Sequence, residues 1–300
     1  MTTPPPLGLL LDVDGPIASP VTRTMAVPSI ATDLVALANA GVPVAFNTGR
    51  SDAFIRDVVV PELRLAGLAE TARVYAICEK GAVWFRIPAA TEHIAEEDIF
   101  VDASLALDED YSREIEQLVA DRFADSMFFD RTKRAMVSVE QHVGVESADY
   151  LAVQPVFDEE AMQRLSARGI GVLRNDDHRP DAEGLVTVRV DPTIISTDIE
   201  SVRVGKDLGA ARLVELLEQD GVTMPVSWRT MGDSRSDYAM ADWLHEHGHD
   251  VAHIDVRPAD GVPEKTYPIY HHDSLIHDEA GAVFLTKWVA LVQGEDIRDA

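Results

Sequence analysis

The sequence predicts a doubly wound α/β core interrupted by a second, α+β unit. Apolar runs alternate with helical spacing through the first third, the rhythm breaks after Glu79-Lys80-Gly81, and it resumes at Lys206. Leu7 to Leu11 is a continuous apolar run stopped by Asp12, the pattern of a strand buried on both faces. Pro28 and Ser29 open a helix with Ile30, Leu34, Leu37 and Ala38 at helical spacing, and Gly41 closes it. A second buried strand follows over Val42 to Phe46. Asn47-Thr48-Gly49-Arg50-Ser51 then opens a helix carrying Phe54, Ile55, Val58 and Val59, and Val74 to Cys78 reads as the third strand.

Ala82 to Ile87 is a strand outside that rhythm. Beyond it the pattern predicts a helix over Asp108 to Phe123 and a hairpin over Met127 to Val139 about the polar turn Asp130-Arg131-Thr132-Lys133. A helix over Glu159 to Ala167 and a strand over Leu185 to Val190 complete the insert. The core rhythm returns with helix Leu208 to Gln219, strand Val226 to Met231, helix Ser236 to His247, strand Val251 to Val256 and a last helix around Ala280 to Val292. The expected division is therefore a core of residues 1–84 and 204–300 and an insert of residues 85–203.

The 300 residues carry 26 Lys+Arg against 52 Asp+Glu, a formal net charge of −26, which disfavours nucleic acid and anionic lipid as partners. A single cysteine, Cys78, leaves no internal disulfide framework and no cysteine-based zinc site, and suits a reducing compartment. No signal-peptide pattern precedes Asp12, and no apolar run reaches membrane-spanning length. The expectation is a cytoplasmic protein, monomer or homodimer, without a membrane or nucleic-acid partner.

In open parallel sheets ligands sit at the carboxyl ends of the strands. The residues there are Asp12-Val13-Asp14-Gly15, Thr48-Gly49-Arg50, and Gly232-Asp233-Ser234-Arg235-Ser236-Asp237, with Gly205-Lys206 at the start of the resumed core. Asp12 and Asp14 repel each other unless a cation sits between them or one is protonated. Asp233 would make an all-oxygen site of the kind that favours Mg²⁺. Lys206 and the helix start at Gly49-Arg50-Ser51 supply the opposite sign, and with the Thr48 hydroxyl they form an anion cradle. A metal-bound carboxylate facing a phosphate cradle suits phosphoryl transfer through an aspartyl-phosphate.

DVDG, NTGR, GK and GDSRSD, in that order and on those elements, resemble the four motifs of the haloacid dehalogenase superfamily of phosphohydrolases, over roughly residues 7–84 and 204–257. The insert between the third strand and the lysine motif resembles the α+β caps of its Cof-type and trehalose-phosphatase-like branch. The resemblance implies a Rossmann-like catalytic core, a substrate-selecting cap, a Mg²⁺ cofactor and a small phosphorylated metabolite, most naturally a sugar phosphate, as substrate. It implies that Asp12 is the nucleophile and Asp14 the general acid and then base. Mg²⁺ would be held by Asp12, the Asp14 backbone carbonyl and Asp233, with Asp237 supporting the metal shell or Lys206. Thr48, with Gly49 and Arg50, would bind the phosphoryl group, and Lys206 would neutralise it and orient Asp12. Pro16 stands where the family often has Thr, and Ser236 where this branch often has Asn. A phosphomutase and a catalytically idle metabolite-binding protein are the alternatives that share these motifs.

Each motif also has an ordinary structural reading. Asp12 and Asp14 alone would be a solvated turn, Thr48 or Ser51 a helix cap, and Lys206 a surface lysine; register among the motifs is what argues otherwise. Lys206 is not part of a nucleotide P-loop, since no Ser or Thr follows it, and Gly169-Ile170-Gly171 lacks the third glycine of a dinucleotide site. His245, His247 and His249, with His271-His272 further on, are read as helix-end and loop residues rather than a metal site. Cys78 is read as a small core residue. In the insert, Arg131, Lys133 and Arg134, and Arg174, Asn175, His178 and Arg179, are candidates for substrate selection or simply exposed charge.

Overall fold

The computed structural model describes residues 3–89 and 93–295. In chain order the first stretch runs β1 (Leu7–Leu11), α1 (Pro28–Asn39), β2 (Val44–Asn47), α2 (Asp52–Phe54), a π turn (Ile55–Val59), α3 (Val60–Leu65), β3 (Val74–Cys78), β4 (Val83–Arg86) and β5 (Phe100–Val101). The middle stretch holds α4 (Glu109–Arg122), β6 (Met127–Phe129), β7 (Val137–Gln141), α5 (Ser147–Ala167), β8 (Val172–Arg174), β9 (Asp177–Arg179), β10 (Val188–Pro192) and β11 (Ser196–Ser201). The last runs α6 (Lys206–Gln219), β12 (Ser227–Gly232), α7 (Tyr238–Glu246), β13 (Val251–Asp255), β14 (Ile269–Tyr270) and α8 (His277–Val292).

The chain divides into two compact units, Met1–Phe100 with Gly205–Ala300, and Val101–Val204. The first is built on an eight-stranded sheet of order β14-β13-β12-β1-β2-β3-β4-β5. β1 lies between β12 and β2 and is parallel to both, so strands from the two distant stretches of sequence become neighbours. All five residues of β1 are buried, which is why its run is apolar without alternation. Each such leucine withdrawn from water contributes on the order of 2 kcal/mol. The chain reverses direction across the sheet at β1, and the ends of β1, β2 and β12 there carry Asp12, Thr48 and Asp233.

The first boundary falls at 100/101 rather than 84/85 because β4 pairs antiparallel with β3 and β5 follows it at the sheet edge. A strand outside the parallel rhythm thus still belongs to the core sheet. The helical run after β2 is interrupted where Pro61 can donate no hydrogen bond, and the π turn Ile55–Val59 lies just ahead of it.

The second unit is a six-stranded sheet of order β6-β7-β11-β10-β8-β9 with α4 and α5. Tyr111, Ile115, Tyr150, Phe157, Met162, Leu165, Val139 and Ile199 form its apolar core. α5 begins at Ser147, well before the expected Glu159, and runs through Pro155. A proline inside a helix costs about 3 kcal/mol, and the buried row Tyr150, Phe157, Ala161 and Leu165 offsets it. The strand expected from Leu185 starts at Val188, and Leu185 is exposed. No helix among the described residues is long and apolar enough to cross a membrane.

Candidate active site

Everything in this site belongs to the first unit. Asp12 follows β1 directly, and its N–H donates to the Met231 carbonyl of β12 at 2.8 Å, which ties the Asp12–Gly15 segment to the strand that delivers Asp233. The chain then leaves the pleat at Gly15, whose φ is +95°. A Cβ there would meet Cγ and Cβ of Asp233 at 2.7 and 2.8 Å, so glycine serves both the backbone angle and the approach of the second acid.

Lys206, the first residue of α6, is the hub. Its Nζ donates to Asp12 Oδ1 and to the Asn47 carbonyl, each at 2.6 Å, and pairs with Asp237 Oδ1 at 2.7 Å. Asn47 closes the arrangement by donating from Nδ2 to the Lys206 carbonyl at 2.8 Å. α6 can come this close because its residue 209 is glycine; a Cβ there would lie 2.2 Å from Asn47 Oδ1. Lys206 is 8% exposed, Asp12 7% and Asp237 0%, so these charges are almost wholly removed from water.

The other oxygen of Asp237, Oδ2, accepts from Asp233 N–H (3.1 Å), Ser234 N–H (2.9 Å) and the Ser234 hydroxyl (2.7 Å). Both oxygens of Asp237 are thereby taken up by Lys206 and the 233–234 turn. These contacts serve Lys206, one of the two roles the sequence left open for it, while Asp237 also stands among the acids close enough together to share an ion. Asp233 Oδ2 lies 3.9 Å from Arg257 Nη1 and 3.5 Å from His277 Nδ1.

Asp14 is engaged differently. Its carboxylate is gripped by Arg50, Nε to Oδ2 at 2.9 Å and Nη2 to Oδ1 at 2.8 Å, while the guanidinium lies 4.8 Å from the centre of the Phe54 ring. Arg50, expected at the phosphoryl group, is therefore paired with the expected general acid. Thr48 is fully buried and its Oγ1 accepts from the Arg50 N–H at 3.0 Å. Gly49 lies between these two, beneath the side chain of Lys80.

The electrostatics follow from two buried acids, Asp12 and Asp237, sharing one ammonium, with Asp14 and Asp233 close by. Burial opposes the charge on Lys206, but Asp12 and Asp237 outweigh it and hold the ammonium above its ordinary pKa. Burial would raise Asp237 too, yet Lys206 keeps it below the usual carboxylate range. Burial pushes Asp12 well above that range; Lys206 opposes the shift, while Asp237 and Asp14 reinforce it. Asp233 is raised by burial and then by Asp237, against Arg257 and His277. One lysine cannot neutralise all of these carboxylates, and Asp12 and Asp233 are the two whose charged forms remain disfavoured without a further cation.

Among the described residues, Asp12, Asp233 and Asp237 are the one group of three or more acids, histidines or cysteines whose ligand atoms lie within 4.8 Å of one another. Oxygen-only donors carrying excess negative charge fit a hard divalent cation such as Mg²⁺. The Asp14 side chain stands outside this group. The histidines do not converge: His245 Nε2 bonds Thr266 Oγ1 at 2.9 Å, His247 stacks on Trp243, and His272 Nδ1 accepts from two backbone N–H groups. Cys78 is buried in β3.

Asn47, Ser234 and Lys80 are parts of the site to which sequence reasoning gave no role. Asn47 and Ser234 stand inside motifs already singled out, so adjacency was the available signal. Lys80 had a weaker one, the break in pattern at Glu79-Lys80-Gly81.

No protein-family model matches the chain, and no curated protein matches it in sequence. Solved structures do. The C-terminal domain of trehalose-6-phosphate phosphatase from Candida albicans is similar with a TM-score of 0.58 and 15% identity, over 98% of this chain and 93% of that one. The C-terminal domain of a trehalose synthase regulatory protein from the same organism gives 0.57 and 13%, over 95% and 94%. A haloacid dehalogenase-like hydrolase from Bacteroides thetaiotaomicron gives 0.56 and 11%, over 94% and 98%. At such identities the likeness is one of architecture, and it extends along nearly the whole of each chain: this protein has the haloacid dehalogenase-like hydrolase fold.

Proposed function

We propose that the protein is a Mg²⁺-dependent phosphatase that hydrolyses a small phosphorylated metabolite, most naturally a sugar phosphate, through a phosphoryl group carried on Asp12. The observation that carries the reading is the Asp12–Lys206–Asp237 cluster beside Asp233, an arrangement with a buried carboxylate aimed by a lysine and a set of oxygens suited to a divalent ion. Support for the substrate class comes from the fold neighbours named as trehalose-6-phosphate phosphatases. When bound by Asp12, Asp233 and the Asp14 carbonyl, Mg²⁺ would neutralise charge on the transferring group.

The chain's own residues supply the rest. Lys206 fixes Oδ1 of Asp12, which leaves Oδ2 as the attacking atom. Oδ2 forms a bond to phosphorus as the ester P–O bond breaks, and the leaving alkoxide takes a proton from Asp14. To do this Asp14 must release one contact to Arg50 and take up a proton from solvent before the ester bond breaks, and Arg50 then holds the carboxylate that results. In the second half Asp14 takes a proton from water as its oxygen attacks phosphorus, inorganic phosphate leaves, and Asp12 is restored.

A regulatory, catalytically idle reading has one observation in its favour, the fold neighbour described as a regulatory protein. The intact acid and lysine cluster argues for turnover. A panel of phosphorylated sugars with Mg²⁺, read as phosphate release, decides between them. Turnover is expected for the wild type and loss of at least about 10³-fold for Asp12→Asn, as for removal of a covalent nucleophile. Near-normal hydrolysis by Asp12→Asn, or none by the wild type on any ester, would overturn the reading.

A further inference from the structure

His277, the first residue of α8, reaches the acids from the last helix of the chain. Its Nδ1 stands 3.5 Å from Oδ2 of Asp233. That nitrogen is buried and has no hydrogen-bond partner among the described residues. A buried polar atom left in this way costs about 1–3 kcal/mol, and in a folded protein it marks a place where something other than packing is served.

Nothing in the chemistry of a helix start calls for this residue. The preceding Ile276 makes no side-chain cap, and the positive end of a helix favours acids over a base. The φ of His277 is +51°, in the left-handed region, which glycine or asparagine enters at lower cost. Its backbone is nevertheless held on both sides. The His277 N–H donates to the Val256 carbonyl at 2.8 Å, and the Val256 N–H donates to the carbonyl of Gly232, the residue before Asp233, at 3.0 Å. One turn on, Gly281 lets α8 lie against the loop that follows Asp14, since a Cβ there would be 2.1 Å from the Pro16 carbonyl oxygen. The start of α8 is thus fixed to both segments that carry the acids, and it delivers an imidazole to Asp233. Arg257 is the other cation beside that carboxylate, but its Nη1 is 3.9 Å away and its Nη2 donates to Asp260 Oδ2 at 2.6 Å.

We infer that His277 is a positioning residue, whose Nδ1 steers the Asp233 carboxylate into place for a divalent cation. This deepens the Mg²⁺-dependent reading and rests on it. Carboxylates that ligate metals are themselves oriented by neighbouring polar groups, and loss of such a partner costs roughly 10–100-fold in metal affinity. At 3.5 Å the contact is longer than a normal hydrogen bond, so it orients Asp233 without occupying the lone pairs that a cation needs. Asp237, whose two oxygens are both taken up, is the contrast.

Two substitutions separate the donor from the backbone. His277→Gly relaxes the left-handed angle and removes the donor, whereas His277→Asn tolerates the angle and carries an amide nitrogen where the ring has Nδ1. The test titrates Mg²⁺ into the full chain by calorimetry, with the melting temperature recorded in the absence of the ion and ester hydrolysis measured separately. His277→Gly is expected to melt close to the wild-type temperature, yet to bind Mg²⁺ about tenfold or more weakly. His277→Asn is expected to recover most of that loss, which a purely packing role for the ring would not allow. Affinity of His277→Gly within about twofold of the wild type, or an equal loss in both variants, would overturn the assignment and leave the phosphatase reading standing. The expected pattern of Mg²⁺ binding in a protein that hydrolyses no ester would overturn the phosphatase reading alone. A wild type that binds no Mg²⁺ would overturn this inference and the metal-dependent reading together.

Discussion

His253, fully buried in β13, shows what single residues do beneath the site. Its Nδ1 bonds Thr230 Oγ1 at 2.8 Å, its ring lies 4.2 Å from that of Tyr238, and its Nε2 has no partner among the described residues. Burial brings its pKa from 6.5 down to about 4. The folded state therefore refuses a proton that the unfolded chain accepts below pH 6.5. The stability this provides is complete above that pH and is lost as pH falls toward 4, roughly 3 kcal/mol in all. Urea midpoints at pH 7 and pH 4.5 are expected to differ less in His253→Asn than in the wild type; equal differences would assign acid sensitivity elsewhere. At this scale Asp12, Asp14 and Asp233 were legible as candidates because acids directly after apolar strands fall at the sheet edge where ligands sit, and Lys206 because it opens the resumed core. Arg50 was legible as a site residue, but its partner was not, since only the fold brings its guanidinium against Asp14.

At the scale of elements, the loop after β1 is the tightest fit. Gly15→Ala places a Cβ 2.7 Å from Asp233 Cγ at a φ of +95°, so either the loop or Asp233 must move. The expected result is a loss of about 1–3 kcal/mol in stability and of most Mg²⁺ affinity, read by urea unfolding and calorimetry. Unchanged Mg²⁺ binding would show that Asp233 does not need this approach. The parallel strands β1, β2, β3, β12 and β13 were readable to within two residues because they are mostly buried, whereas the short, half-buried parallel strand β14, and β8, β9 and β11 in the second unit, were not. They are short or half-exposed, and their pairing is set by partners far along the chain: β11 lies between β7 and β10. Pro155 concealed the first half of α5 for a comparable reason, since tertiary burial overrode a local signal.

For the molecule as a whole, the net charge of −26 sets a repulsive background for any anion. A dianionic substrate can enter only where that background is locally reversed, and a divalent ion between Asp12 and Asp233 would do most of it. Such an ion binds the folded chain and not the unfolded one. Mg²⁺ at 100 times its Kd is therefore expected to add about 2.7 kcal/mol of stability, seen as a rise in melting temperature that Asp233→Asn abolishes. A rise of equal size in both proteins would place the ion elsewhere.

The central claim is that phosphate passes through Asp12. Borohydride added during turnover reduces an aspartyl-phosphate to homoserine, and peptide mass spectrometry locates the change. Conversion at Asp12 is expected with substrate and Mg²⁺ and not without substrate. Phosphate release by the wild type with Asp12 left unmodified, together with hydrolysis surviving in Asp12→Asn, would contradict the account.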